Sequence, residues 1–265
     1  MHPVLFKMGP ITLYTYGLLV ATGLLLGVAL AFRQARKAGY DPQVIMDIVF
    51  YVVLAGIIGS RLLYVIQNIS LYRDHPLNVV KIWEGGLSFH GALLFGLPVG
   101  WMLIRKTGLS FWGLFDVCAP SIAIGQAVGR VGCFFAGCCH GSPTDVPWAV
   151  TFHDPNSLAP TGISLHPTQL YTASFLMIVF IVLILVRPHT RFAGQLACLY
   201  LILHSLFRFF IEFLRADHRL FLRNLPLSLT QLISILILLT ALVSYRILKH
   251  NQHLKAVKYG PPAHH

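Results

Sequence analysis

Thirteen residues near the middle of the chain, Gly129 to Gly141, spell GRVGCFFAGCCHG and bring together an arginine, three cysteines and a histidine. Three chemistries suit those side chains. A guanidinium is a permanent charge with a planar fork of donors, able to take phosphate oxygens in pairs. Thiolates and imidazoles are metal ligands, and Cys133-x4-Cys138-Cys139-His140, with His153 and His166 downstream, offers several of them. The spacing departs from the C-x2-4-C pairs of zinc sites, and no second C-x-x-C follows. Cys138 and Cys139 are adjacent and poorly placed to bridge each other, whereas Cys133 could pair with either on an oxidising face. On the residues alone, a metal site, a disulfide and small-residue packing beside a phosphate site all stay open.

Other ionisable groups sit in apolar surroundings. An Arg, Lys or Asp at the centre of a membrane helix costs at least about 2.5–3.5 kcal/mol, so each such residue is a functional candidate. His204, Arg208 and Glu212 follow one another at four-residue steps in HSLFRFFIEFLR, and so form one column on a helix. Such a column lines a polar cavity or packs on another polar span. His90 lies in EGGLSFHGALLFG with glycines on both sides, which permits close approach of a helix or of a ligand. Arg61, in GSRLLY, stands between a structural and a functional role; Asp47 and Asp116 are expected to be structural, Asp116 as the partner of an arginine.

The elements that position these groups follow from composition. The 265 residues are 56% hydrophobic and 11% charged, against roughly 25% charged in soluble domains. A span needs about 20 apolar residues. Seven runs qualify, at roughly 10–32, 44–68, 88–104, 111–137, 167–186, 194–214 and 226–248. The first lacks a cleavage-like site and is expected to be retained. Cys118 and Cys198 fall within runs and serve as small apolar side chains. The fold class expected is therefore an all-α integral membrane protein of seven transmembrane helices, one polytopic domain over 1–265.

One set of loops and the tail holds eleven cations, Arg33, Arg36, Lys37, Arg105, Lys106, Arg187, Arg191, Arg246, Lys249, Lys255 and Lys258. The other set holds six, Lys7, Arg73, Lys81, Arg215, Arg219 and Arg223. By the positive-inside bias the N-terminus is outside and the basic tail at about 249–265 is cytoplasmic. The loop at about 138–166, free of Lys and Arg, then faces outward, and PWAVTFHD within it suits a short extended segment. The formal charge of +11 is explained by these loops and by anionic headgroups. No basic stripe with interleaved aromatics exists, which excludes nucleic acid as a partner.

TYG in the first run, GGLSFHG opening the third, GRVGCFFAGCCHG ending the fourth, HPTQLY opening the fifth and FRFFIEFLRAD ending the sixth occur in that order. With this set the chain resembles bacterial prolipoprotein diacylglyceryl transferases over nearly its whole length. The resemblance implies a multi-pass protein of the bacterial inner membrane. Such a protein moves a diacylglyceryl group from phosphatidylglycerol to the lipobox cysteine thiol of a prolipoprotein signal peptide. Glycerol phosphate leaves and a thioether forms, with no cofactor and no metal. Within that chemistry Arg130 and Arg208 are expected to neutralise the departing phosphate, and His90 to take the thiol proton. Tyr16 is expected to position the headgroup, and Cys133, Cys138, Gly141, His204 and Glu212 to complete substrate binding.

The chain also departs from the family signature, Gly-Arg-x-Gly-Asn-Phe-x-Asn-x-Glu closing on a glycine. Cys133 replaces the first asparagine, Ala136 the second and Cys138 the glutamate. Thr172 follows HPTQLY where a glutamate is usual, and His204 stands where the family often has tyrosine. The arginines are kept while their amide and acid partners are lost, leaving His140, His204 or Glu212 to compensate. Two alternatives use the same scaffold: a membrane thiol or metal redox protein built on Cys133, Cys138, Cys139 and His140, and a non-catalytic phospholipid-binding protein or transporter.

Overall fold

The computed structural model describes residues 2–8, 11–73, 76–82, 85–216 and 227–259. Arg219 and Arg223 of the loop count, Glu84 and Asp217 of the quoted motifs, and residues 260–265 of the expected tail lie outside them. In chain order the elements are β1 (Val4–Met8), β2 (Ile11–Tyr14), α1 (Thr15–Lys37), α2 (Pro42–Gln67) and α3 (Ile69–Tyr72). Then come α4 (Phe89–Thr107), α5 (Phe111–Ala136), β3 (Val150–Thr151), β4 (Ser164–Leu165), α6 (Thr168–Val186), α7 (Gln195–Ile211) and α8 (Leu229–Tyr259).

Six helical stretches among the described residues are long and apolar enough to cross a membrane: Thr15–Lys37, Pro42–Gln67, Phe111–Ala136, Thr168–His189, Gln195–Leu214 and Leu229–Gln252. The chain is a multi-pass helical membrane protein. The third expected span forms α4, but it is not one of the six; its 19 residues include His90, Pro98, Arg105 and Lys106. Two short two-stranded sheets accompany the helices, and β3 falls within PWAVTFHD as the extended segment expected there.

The contacts divide the chain into two compact units, one of residues 1–6, 13–31 and 115–265, the other of residues 7–12 and 32–114. In the second unit α2 and α4 run antiparallel along a seam of small residues. A Cβ added to Gly59 would lie 2.6 Å from the Gly91 carbonyl oxygen, and one added to Gly96 would lie 3.4 Å from that of Val52. Without a hydrophobic drive between helices in lipid, such close backbone approach is what holds them.

The first unit contains the corresponding seam between α1 and α5. A Cβ at Gly23 would lie 2.7 Å from the Gly125 carbonyl oxygen, and one at Gly27 3.0 Å from that of Ser121. Behind it Ala119 and Ala123 of α5 pack on Val179 and Leu183 of α6 and on Leu196 and Tyr200 of α7. Asp116, expected to partner an arginine, lies within electrostatic reach of Arg187, and its carboxylate also caps the α7 N-terminus: Gly194 N–H donates to Oδ2 at 2.6 Å and Ala197 N–H to Oδ1 at 2.8 Å. A carboxylate there meets the unpaired amides and the positive end of the helix dipole. The loop after α5 has a small core of its own, Phe152, Ala159 and Leu165 with Phe134 and Val150 against them, and β3 pairs antiparallel with β4.

Candidate functional site

Arg130 projects from the last turns of α5, and the glycines around it do two different things. Gly129 has open space where a side chain would go, with no described atom within 4 Å. Gly132 lets α1 in close, its added Cβ being 3.2 Å from Leu19 Cβ and 3.4 Å from the Tyr16 carbonyl oxygen. Among the described residues the Arg130 guanidinium has no hydrogen bond or ion pair. It lies within electrostatic reach of Tyr16, Cys133, Cys139, His204 and Arg208. Those residues come from three separate stretches of the chain, around 16, 130–139 and 204–208, and belong to one compact unit.

The column on α7 is built as the four-residue spacing requires. His204 stacks on the Tyr200 ring at 5.5 Å and 25°, and Tyr200 O–H donates to Gln126 Oε1 at 2.9 Å, one turn before Arg130 on α5. Arg208 Nη1 meets Glu212 Oε2 at 2.6 Å. Glu212 is 6% exposed, and its other oxygen accepts from Ser228 Oγ at 3.1 Å. Ser228 starts α8 in a capping box: Gln231 N–H donates to Ser228 Oγ, and Ser228 N–H donates to Gln231 Oε1 at 2.9 Å. Glu212 thus ties Arg208 to the start of the next helix.

The cysteines fold back on one another. α5 ends at Ala136, Gly137 follows with φ +79° and Cys139 has φ +60°, the left-handed region that non-glycine residues rarely enter. Gln169 Nε2 donates to the Cys138 carbonyl at 2.8 Å, and Thr168 Oγ1 to that of Cys139 at 2.8 Å, so the HPTQLY segment clamps the turn. The Sγ atoms of Cys133, Cys138 and Cys139 all lie within 4.8 Å of one another, and all five cysteines are free thiols. The Cys139 thiol is pushed below the usual thiol range by hydrogen bonds from Cys133 and Cys138, with Arg215 and Arg130 helping. Cys138 is pushed the other way, chiefly by its hydrogen bonds with Cys133 and Cys139.

Gly141 is a crossing point. Its N–H donates to the His166 carbonyl at 2.9 Å, and Ser142 N–H donates to the Leu214 carbonyl at 2.8 Å. The end of the GRVGCFFAGCCHG stretch is thereby laced to the segments before α6 and after α7. Beyond the expected residues, Gln126, Tyr200, Thr168, Gln169 and Ser228 hold this unit together. Trp148 Nε1 donates to Tyr171 Oη at 2.6 Å, and His166 Nδ1 lies 3.3 Å from the same oxygen. Only Ser228 and Gln231 carried a local signal, the S-x-x-Q of a capping box.

His90 belongs to the other unit. It is exposed on the first turn of α4, edge-on to Phe89 at 6.1 Å. The glycines that bracket it have structural duties: Gly91 meets Gly59 on α2, and Gly85 and Gly86, at φ +88° and +73°, turn their carbonyls to Arg61. All five N–H bonds of Arg61 go to backbone carbonyls, those of Asn78, Val79, Lys81, Gly85 and Gly86. The residue is 7% exposed and is structural.

These features agree with comparisons across the whole chain. The family model for prolipoprotein diacylglyceryl transferase matches residues 3–247. A phosphatidylglycerol–prolipoprotein diacylglyceryl transferase of Staphylococcus aureus is 36% identical over 258 residues, 95% of this chain and 91% of the relative. The Bacillus licheniformis protein of that name is 35% identical over 94% of both chains. That of Halalkalibacterium halodurans is 39% identical over 91% of this chain and 84% of its own. With its glycine-flanked Arg130, its Arg208–Glu212 pair and a match running almost end to end, this chain belongs to the prolipoprotein diacylglyceryl transferase family.

Proposed function

We propose that this chain transfers the diacylglyceryl group of phosphatidylglycerol to the lipobox cysteine thiol in the signal peptide of a prolipoprotein. Arg130 carries the reading. It is a permanent cation near the end of a spanning helix, with open space at Gly129 and Arg208 within electrostatic reach. A charge so placed is costly until an anion meets it, and the anion a bilayer supplies is a headgroup phosphate.

In the reaction His90 takes the proton from the acceptor thiol, and the sulfur lone pair attacks the glycerol carbon of the diacylglyceryl group. The carbon–oxygen bond to phosphate breaks and its electrons leave on glycerol phosphate. Arg130 and Arg208 balance the charge that gathers there. Tyr16 positions the headgroup; Cys133, Cys138 and His204 line the substrate site; Gly141 and Glu212 hold its walls. The chain works as one polytopic domain of the bacterial inner membrane, with α4 as a seventh span, third in chain order. The bias of Lys and Arg supports an N-terminus outside, a cytoplasmic C-terminus and an outward loop at about 138–166.

The test is transfer by the full-length protein in phosphatidylglycerol vesicles to a lipobox peptide, with the thioether product weighed by mass spectrometry. His90→Ala should remove the product, and Arg130→Ala should cut its formation by about 100- to 1,000-fold. A folded wild-type protein that forms no thioether would sink the reading.

A further inference from the structure

The three thiols at the end of α5 form a group whose sulfur atoms take no part in the bond-making and bond-breaking of the proposed transfer. Cys133 sits on a rigid helix, 9% exposed. Cys138 and Cys139 sit on a turn whose two carbonyls are both fixed by side chains of α6, Gln169 and Thr168. The backbone at Cys139 is held at φ +60°, a conformation that costs free energy and persists only where surrounding contacts over-determine it. The three Sγ atoms lie within 4.8 Å of one another. Around a cation with metal–sulfur bonds of about 2.3 Å, thiolates stand about 3.8–4.0 Å apart. The group is therefore within a small side-chain adjustment of a ligand set.

We propose that Cys133, Cys138 and Cys139 bind one soft, thiophilic divalent cation of the Zn2+ class. Three thiolates are the donor set that selects such ions over hard ones. Among the described residues no further His, Cys, Asp or Glu ligand atom joins the group, so the fourth tetrahedral position is left for water or a substrate group. Binding releases the thiol protons to solvent. Arg130 and Arg215, both within electrostatic reach of Cys139, offset the negative charge of a three-thiolate complex. The proposal stands on this geometry and does not need the transferase reading to hold.

The experiment uses the full-length protein, reduced, stripped with chelator and kept in detergent micelles. Titration with Co2+ should raise a thiolate-to-metal charge-transfer band that saturates at one ion per chain and is displaced by Zn2+. With Zn2+ bound, the thiols open to alkylation in the unfolded-quenched protein should fall by the three of this cluster. Cys139→Ser should abolish the band. The double variant Cys133→Asn, Cys138→Glu, which places the family's usual residues there, should abolish it too with helicity unchanged by circular dichroism. A wild-type protein that shows no thiolate band, or alkylates all three thiols at the same rate with and without Zn2+, overturns the proposal. So does isolation of the chain with two of the three cysteines already joined as a disulfide.

Discussion

Arg61 and Arg130 each follow a small residue on an apolar helix, and the two are used in opposite ways. Arg61 spends every N–H on a backbone carbonyl, and its guanidinium also lies over Tyr72 at 5.4 Å. It closes the segment between α2 and α4 into a ring of satisfied groups. Arg130 has no such bond from the described residues, and its neighbour Gly129 has open space where a side chain would go. A guanidinium has five donors in a fixed fork. Where the protein fills all of them the charge is a structural bolt; where it fills none the charge is held ready for an anion from outside. Both stand six residues before the end of an apolar helix and near a glycine, so on the proposed reading it is donor saturation that separates the two roles.

The largest effect expected from this contrast is on transfer. Arg130→Ala should lower the rate by about 100- to 1,000-fold, the loss typical of removing one donor from a developing oxyanion, with the unfolding temperature of the micellar protein little changed. Arg61→Ala should do the reverse. It removes the donors of five part-buried hydrogen bonds, and a hydrogen bond to a charged group is worth about 1.5–3 kcal/mol, so stability should drop by about 3 kcal/mol or more. The fraction that stays folded should retain its turnover. Thermal unfolding and transfer measured on the same samples decide the matter. If Arg61→Ala abolishes turnover without loss of stability, saturation does not separate the roles.

How much of this was legible in sequence depended on how local each cause was. Apolar length set the helices well, α5 at Phe111–Ala136 against an expected 111–137. The Arg208–Glu212 pair followed from one helical turn of spacing. The acceptors of Arg61 did not, because carbonyls 17 to 25 residues away leave no mark on residue type. The glycines around His90 signalled close approach, and Gly91 makes it with Gly59 of α2. The thiol cluster was obscured because the spacing rules for zinc assume ordinary turns, whereas Gly137 and Cys139 take left-handed φ values that bring adjacent thiols back onto Cys133. Capping of α7 by Asp116 spans 78 residues and has no sequence signature at all.

A smaller effect belongs to Gly141, which laces its stretch to the segments before α6 and after α7. A Cβ there would fall 2.5 Å from His166 Cβ and 2.7 Å from the Leu214 carbonyl oxygen. Backbone stands on one side, so it cannot swing away. Gly141→Ala should cost about 1–3 kcal/mol, the usual range for overpacking, and thermal unfolding reads it. Turnover per folded molecule should fall less than in Arg130→Ala, since the cations are untouched.

The smallest effect expected is that of Ser228→Ala, and it probes whether Arg208 behaves like Arg61 or like Arg130. The substitution removes the acceptor for Gln231 N–H and the donor to Glu212, which costs about 1 kcal/mol as loss of an N-cap. The Arg208–Glu212 contact at 2.6 Å remains, so the guanidinium keeps its place with one anchor fewer. The expected result is a modest fall in unfolding temperature, a KM for phosphatidylglycerol raised severalfold, kcat nearly unchanged, and recovery of both in Ser228→Thr. A loss of kcat as deep as that of Arg130→Ala would mean that Arg208 depends on a protein network for its action. The site would then join one held cation to one open cation, and the division drawn between Arg61 and Arg130 would run through the middle of it.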